Sequence, residues 1–434
     1  MQDTTIPSPL IVVGAGLGGL AAAVRLARSG RRVRLLERRD TLGGLALTED
    51  HRGYLFNLGP RALYRAGAAA RELRDLGVVP RGEGAAGQNG FLMLDGRLTT
   101  GPFDPMGLLR TSAMSRAGKW ELVRRLAGLG RERVEPGTTM AEWLATRFVH
   151  ADARAVAETI VRLTTYANDP GRLCAGAGVA QLAHGMRGVD YLHGGWQQLV
   201  DALAERARAA GVQVETNVRV TGLVQRHGRV LGVRTKAGVE PAEAVVVTSG
   251  PKPLRRWLDD VKGAEPVARF LDDAMPARLA CLDVALRRLP RAVRGQAPCD
   301  LILGVDEPIY ASVHSAHVEL APAGGAVVHL ARYLAPDESP DGARGRLEEA
   351  LEVMQPGYAE EVEVVRYRPR MVATTDVPVA GVGLTGRPSS RVVSGLYVAG
   401  DWVGPEGMLA DAVFASARAA SDAVVTDLGL HAAA

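Results

Sequence analysis

Lysine is almost missing from this chain: Lys119, Lys236, Lys252 and Lys262 are the only four in 434 residues. Nearly all of the positive charge is arginine, and it is scattered among acids to leave a net charge of +4. With no basic stripe and no RNA- or DNA-binding motif, nucleic acid is excluded as the main partner. Cysteine is as sparse. Cys174, Cys281 and Cys299 are odd in number and far apart, and they lack metal-ligand spacing, so neither a disulfide framework nor a metal site is expected. Such thiols fit a cytoplasmic compartment; Cys174 follows a polar stretch and reads as either a reactive or a buried structural thiol. No run of about twenty apolar residues occurs, which excludes a membrane-spanning helix. Met1 to Pro9 has no basic or apolar region of signal-peptide type and reads as a short leader. Aromatics make up only 5% of the chain, which argues against an aromatic cage for an amine and for an aliphatic pocket. Ser/His/Asp constellations are missing too.

What remains is a large apolar share, 47%, beside 23% charged residues, the composition of a globular protein with a sizeable core. At this length, two domains sharing one site are expected. Glycine carries the clearest signal. Leu10-Ile11-Val12-Val13 has the length and β-branching of a buried strand, and Gly14-Ala15-Gly16-Leu17-Gly18-Gly19 follows it. A helical pattern from Leu20 to Arg28 is stopped by Gly30, and Val33-Arg34-Leu35-Leu36 reads as the next strand, ending at Glu37. This is a GxGxxG dinucleotide fingerprint in its required context of strand, turn and helix, with an acid about twenty residues on. Gly14 allows the tight turn, Gly16 lets the backbone approach a pyrophosphate, and Gly19 lets helix and strand pack closely. Unpaired backbone N–H groups at the positive end of the helix would carry the diphosphate, with Leu17 and Gly18 of the turn among the cofactor-binding residues. Glu37 would accept from a ribose diol and repel a 2′-phosphate.

Two more stretches extend the pattern. Glu37-Arg38-Arg39-Asp40-Thr41-Leu42-Gly43-Gly44 leads into a second glycine pair, and Gly53-Tyr54-Leu55-Phe56-Asn57-Leu58-Gly59-Pro60 follows. Near the far end, Gly395-Leu396-Tyr397-Val398-Ala399-Gly400-Asp401-Trp402 reads as a strand and turn, with a helix from Gly407 to Ala420. Together these resemble the flavin-binding segments of the amine oxidase and phytoene desaturase superfamily, which also includes protoporphyrinogen oxidase and UDP-galactopyranose mutase. The resemblance covers the two ends and a middle stretch. It implies an α/β fold: a Rossmann-like FAD-binding domain with an interleaved α+β substrate domain. It also implies non-covalent FAD, because no cysteine lies beside the last flavin segment. By the same resemblance, Gly43 and Gly44 lie along the diphosphate and ribityl chain, and Gly59 and Pro60 lie near the isoalloxazine ring. Asp401, after Gly400, takes a ribityl hydroxyl; Met408 and Leu409 offer N–H groups to flavin N1 and O2; a backbone group near Val220 contacts adenine. A helix start at that place favours the negative charge of reduced flavin by a few tenths to about 1 kcal/mol. Relatives often carry Arg directly after the glycine pair, where this chain has Leu45, so that contact is missing or supplied by Arg38 or Arg61.

The chain divides into flavin-domain segments 1–90, 190–250 and 389–434 and substrate-domain segments 91–189 and 251–388. The first contains a helix near Ala62 to Leu76. Phe91 to Leu98, turning at Asp95-Gly96, reads as a hairpin. Pro102 to about Gly188 is largely helical, and Leu108 to Leu129 is amphipathic with an arginine-rich polar face. It reads as a core-facing helix with a solvated basic face or as a peripheral membrane contact. A helix from Gln197 to Ala210 is closed by Gly211, followed by strands at Val212–Val214, Asn217–Val224, Val230–Arg234 and Ala244–Val247, with a turn at His227-Gly228. Leu279–Arg287, Leu301–Leu303, Ile309–His314, Val327–Leu334 and Val362–Tyr367 read as substrate-domain strands, and Arg344–Met354 as a helix.

Flavin supplies the hard chemistry in such a protein, so no catalytic acid or base is obligatory. Arg61 and Tyr64, after the Gly59-Pro60 turn, are the catalytic candidates. Arg61 suits either reduced flavin or an acidic substrate group, with a surface ion pair as the alternative. His317, His329 and Arg332 are weaker candidates on expected strands. The leading expectation is a dehydrogenase or desaturase moving a hydride from a hydrophobic small molecule to flavin N5. The alternatives are an amine or protoporphyrinogen-type oxidase releasing hydrogen peroxide, a non-redox flavin mutase, and a flavin-less binding module, which the intact glycines and acids argue against.

Overall fold

The structure is a computed structural model that describes residues 7–85, 89–290 and 299–430. Most of the expected leader therefore lies outside the described residues. Short apolar runs buried on both faces can only be the inner strands of a covered parallel sheet. β1 (Leu10–Val13), β2 (Val33–Leu36), β4 (Ala244–Val247) and β6 (Leu396–Val398) are such strands, and with the less buried edge strands β3 (Gln213–Glu215) and β5 (Arg391–Val393) they build a six-stranded sheet. The order is β3-β2-β1-β4-β6-β5. Every pairing is parallel except that of β5 with β6, and Val12 stands between Leu35 and Val246.

Helices α1 (Leu17–Ala27), α2 (Gln197–Ala209) and α3 (Leu409–Asp427) cover one face through Leu20, Leu26, Leu199, Leu203, Phe414 and Ala417. The other face is covered by the helices Pro251–Leu258 and Glu265–Asp273 and by a small antiparallel sheet, through Leu254, Trp257, Leu223 and Val233. Residues 251–273 thus pack on this parallel sheet, past the boundary at 250 expected from sequence. A Cβ on Gly19 would stand 1.8 Å from the Gly14 carbonyl oxygen, so only glycine allows α1 to lie this close to β1.

A second sheet has seven strands, ordered Val362–Thr374, Ala277–Leu286, Ala326–Leu334, Ile309–Val313, Leu301–Gly304, Gly90–Leu94 and Arg97–Thr100. Its neighbours are antiparallel apart from Leu301–Gly304 with Gly90–Leu94. Alternation along Ala277–Leu286 sends Leu279 and Cys281 toward a helical layer that includes Met140, Trp143 and Val156. Leu282 and Val284 face the helix Ala343–Met354.

Three expected elements change on folding. The helix expected over Ala62–Leu76 starts only at Ala68, because Leu63–Tyr64 pairs as a strand with Val189–Asp190. The strand expected from Asn217 starts at Gly222. Asn217 and Val218 instead donate their N–H groups to the carbonyls of Arg39 and Glu37, laying this stretch along the end of β2. The single amphipathic helix over Leu108–Leu129 is two, Pro105–Arg110 and Arg116–Gly128. Asp104 and Ser115 cap their N-termini with side-chain oxygens, which fixes two separate starts.

Candidate functional site

The two glycine turns meet beyond the C-terminal ends of β1 and β2. Gly43 N–H donates to the Ala15 carbonyl at 2.8 Å, and Gly16 and Gly43 form a parallel bridge. Gly14 (φ 101°), Gly43 (φ 116°) and Gly44 (φ 58°) all occupy left-handed backbone that a side chain would strain. A Cβ on Gly16 would meet nothing closer than the Gly43 oxygen at 3.7 Å, so the cradle is open on that side. Glu37 is buried and its carboxylate is already organised: Oε2 accepts from Ala15 N–H at 2.8 Å and Oε1 from Arg39 N–H at 3.0 Å. Beside it, the N–H and C=O of Val220 have no hydrogen-bond partner among the described residues. Arg38 and Leu45 are both exposed; Leu45, at 60% exposure, is a large apolar side chain at the rim of a polar cradle.

Because β6 is parallel to β4 and β4 to β1, Gly400 and Asp401 emerge on the same edge as the glycine turns. Asp401 Oδ2 accepts from Thr374 Oγ1 at 2.8 Å and Thr375 N–H at 2.6 Å. Arg387, buried beneath, donates to the Gly407 carbonyl at 3.0 Å and so anchors the loop before α3. Burial, helped by Asp401, pushes the neighbouring Asp376 carboxyl up to about 6. Leu409, the first residue of α3, has φ 54°, a left-handed backbone that costs a non-glycine residue about 1–3 kcal/mol. The N–H groups of Met408 and Leu409 have no partner among the described residues.

The Gly59-Pro60 turn connects these parts. A Cβ on Gly59 would stand 2.5 Å from the Met371 methyl carbon and 3.5 Å from Cys281 Sγ. Met371 shares its strand with Thr374, which holds Asp401. Tyr166 donates its hydroxyl to the Pro60 carbonyl at 3.0 Å and lies 6.2 Å from the Tyr333 ring. Burial raises the Cys281 thiol and lifts Tyr166 to about 12, so both stay neutral. The guanidinium of Arg61 lies over the Trp196 ring at 5.5 Å, with no ion pair among the described residues and no partner for its Nε. Desolvation therefore pulls its pKa down. Tyr64 donates to the Thr164 carbonyl at 3.1 Å. Next to it, Asp411 on the first turn of α3 accepts from Ala69 N–H at 2.8 Å, pinning the segment after Arg61 to the start of α3.

The expected site residues thus gather at one sheet edge, with exposed Arg38 and Leu45 at the rim. The weaker candidates fare differently. His317 is not on a strand but ends a short 3-10 turn, 5.8 Å from the Tyr191 ring. Arg332 is taken up by Glu338 and Glu307. His329 is fully buried and bonds Asp283 through Nδ1 at 2.7 Å, while its Nε2 has no partner. Low overall aromatic content was no guide here, because Tyr64, Tyr166, Tyr333 and Trp196 all collect around the Gly59-Pro60 turn. Sequence reasoning missed Trp196, Met371, Thr374 and Arg387, which reach the site only through tertiary packing.

A profile of the family described as flavin containing amine oxidoreductase matches residues 17–425. Phytoene desaturase of Neurospora crassa is 41% identical over 80 residues, 18% of this chain and 13% of that protein. Hydroxyneurosporene desaturase of Rhodobacter capsulatus is 29% identical over 289 residues, 57% of this chain and 58% of that protein. In both cases the match spans less than two thirds of the relative. A solved oxidoreductase from Methanosarcina mazei superposes with a TM-score of 0.76 at 19% identity, covering 95% of this chain and 100% of that one. At this identity the likeness speaks for the fold.

Proposed function

This chain belongs to the flavin containing amine oxidoreductase family, and from that premise we propose that it is an FAD-dependent dehydrogenase or desaturase of a hydrophobic small molecule. The residues fit the cofactor. The Gly14–Gly19 turn and the start of α1 would hold its diphosphate. Glu37 would hold a ribose, Val220 the adenine, and Asp401 with the free N–H groups of Met408 and Leu409 the ribityl chain and ring edge. Orphaned polar atoms support this fit: Ser249 Oγ, Trp196 Nε1 and Arg61 Nε are buried without partners. When bound, FAD supplies a hydride acceptor at N5. Cys281, the thiol nearest the Gly59-Pro60 turn, is held protonated by burial and is a poor nucleophile, which favours non-covalent attachment.

Arg61 carries the substrate reading. An unpaired, desolvated cation beside the turn repels an ammonium group and favours negative charge developing nearby. Asp283, a fully buried carboxylate of the adjoining sheet, is bonded to His329 and Arg368 instead. The groups beside Arg61, Tyr166 and Cys281, are neutral, and Met371 at the Gly59-Pro60 turn and Tyr333 next to Tyr166 add no charge. Two relatives are named desaturases, which agrees with a lipophilic substrate. The purified protein should be yellow and should release intact FAD on acid precipitation. In anaerobic screening, isoprenoid or other lipophilic compounds should bleach the flavin faster than mono- and polyamines, with products identified by mass spectrometry. Fastest bleaching by a small amine, with peroxide released on admitting air, would replace this reading by an amine oxidase.

A further inference from the structure

The helices Pro105–Arg110 and Arg116–Gly128 turn their inner faces, through Leu108, Leu122 and Leu126, into the core that also holds Cys281 and Tyr333, with Met114 in the link between them and Leu129 after the second. Their outer faces are not a plain polar surface. Met106 and Leu109 are 51% and 72% exposed, and Trp120 and Val123 are 72% and 40% exposed. Each pair is spaced i, i+3 and so shares one helix face. Lys119 Nζ donates to the Leu109 carbonyl at 2.9 Å, which ties the end of the first helix to the turn of the second that carries Trp120. The other four tryptophans, Trp143, Trp196, Trp257 and Trp402, are all at most 8% exposed. Trp120 alone is left in solvent.

Charge on these two helices is mostly of one sign, and the one carboxylate that reaches their junction from outside, Asp152, is occupied by the N–H groups of Ser115 and Ala153. Residues 101–131 hold Arg110, Arg116, Lys119, Arg124, Arg125 and Arg131 against only Asp104 and Glu121. Asp104 is occupied as a helix cap, and Glu121 is buried on the N–H groups of Val149 and His150. Elsewhere on the molecule surface arginines are commonly matched by acids, as in Arg25–Asp75, Arg255–Asp272 and Arg344–Glu348.

We propose that this helix pair docks on the surface of an anionic phospholipid bilayer. Met106, Leu109, Trp120 and Val123 enter the boundary between headgroups and acyl chains, and Arg110, Arg116 and Arg124 meet the phosphates. No described helix is long and apolar enough to cross a membrane, so the contact is peripheral. The inference agrees with a lipophilic substrate but stands on different residues, and vesicles free of substrate test it separately.

The FAD-loaded protein is sedimented with phosphatidylcholine vesicles and with vesicles containing about 30% phosphatidylglycerol. Binding to the anionic vesicles is expected, and it should weaken with salt. Paired Leu109→Glu and Trp120→Glu substitutions should lower the partition coefficient at least tenfold, with flavin absorbance and elution volume unchanged. Paired Arg116→Gln and Arg124→Gln should lower it about 30-fold, roughly fivefold for each cation removed. Wild-type protein that stays in the supernatant with anionic vesicles overturns the proposal, as does binding that both variant pairs leave intact. A concentration-dependent dimer abolished by Leu109→Glu and Trp120→Glu would assign the patch to a second copy of the chain and overturn it as well.

Discussion

Glu37 supports the glycine turn from below. Its carboxylate holds the Ala15 N–H inside the GxGxxG turn and the Arg39 N–H after it. Hydrogen bonds to a charged group are worth about 1.5–3 kcal/mol each. Glu37→Ala should therefore weaken FAD binding at least tenfold while the apoprotein keeps its far-UV spectrum, measured by flavin fluorescence titration. An unaltered FAD affinity would remove Glu37 from the ribose role. At this scale the sequence was informative wherever chemistry is local. The glycines and Glu37 stand out by spacing, because turn conformation and helix start depend on neighbours in the chain, whereas Asp401 stands out only through the resemblance to the flavin family. Arg61 was visible as a candidate, yet its isolation was not. That property belongs to residues distant in sequence, Trp196, Tyr166 and Cys281, none of which offers it a carboxylate.

Elements were legible to the degree that their own residues decide them. Caps and stops such as Gly30 and Gly211, and the turns at Asp95-Gly96 and His227-Gly228, fall where expected, with left-handed backbone at each. Leu63–Tyr64 was lost to a helix reading because its strand partner lies more than a hundred residues away. The break between Pro105–Arg110 and Arg116–Gly128 was signalled by Asp104 and Ser115 but overridden by the apolar spacing. Glu121, on the second of these helices, links it to the turn before helix Ala151–Thr165. Burial alone would raise this carboxyl; N–H groups of Val149 and His150 and the His150 ring overcome that and hold it at about 2 instead of its ordinary 4.5. A folded-state pKa below the unfolded value means stability that is complete above about 4.5 and lost as pH falls through about 2. Glu121→Gln should lower the melting temperature at pH 7 and flatten its decline over that acid range. Melting curves that fall in parallel for the two proteins would show that Glu121 contributes nothing to the acid limb.

At the scale of the whole molecule, the inner strands were legible as short apolar runs, and the Rossmann-like fold followed from the resemblance to the flavin family. The packing of residues 251–273 on the parallel sheet was not legible, since amphipathic helices do not state which surface they cover. The sheet's construction also has a consequence for how the protein is made. The central strand β1 is flanked by β2, which leaves the ribosome soon after it, and by β4, which emerges some two hundred residues later. The sheet's far edge and the helix α3, with Phe414 and Ala417 against α1, come later still. Translation at roughly 5–20 residues per second leaves β1 without its second neighbour for about ten seconds or more. A nascent chain must therefore keep Leu10–Val13 from pairing elsewhere until β4 arrives, and, with Met408 and Leu409 in the proposed cofactor site, flavin capture is expected only after synthesis of α3 begins. A chain ended at Gly407 should accumulate as aggregate or as a protease-sensitive species without flavin, and ribosome-bound chains arrested at that point should be cleaved by dilute protease within residues 10–36. Flavin capture by such arrested chains would mean that the cofactor site closes without its final helix.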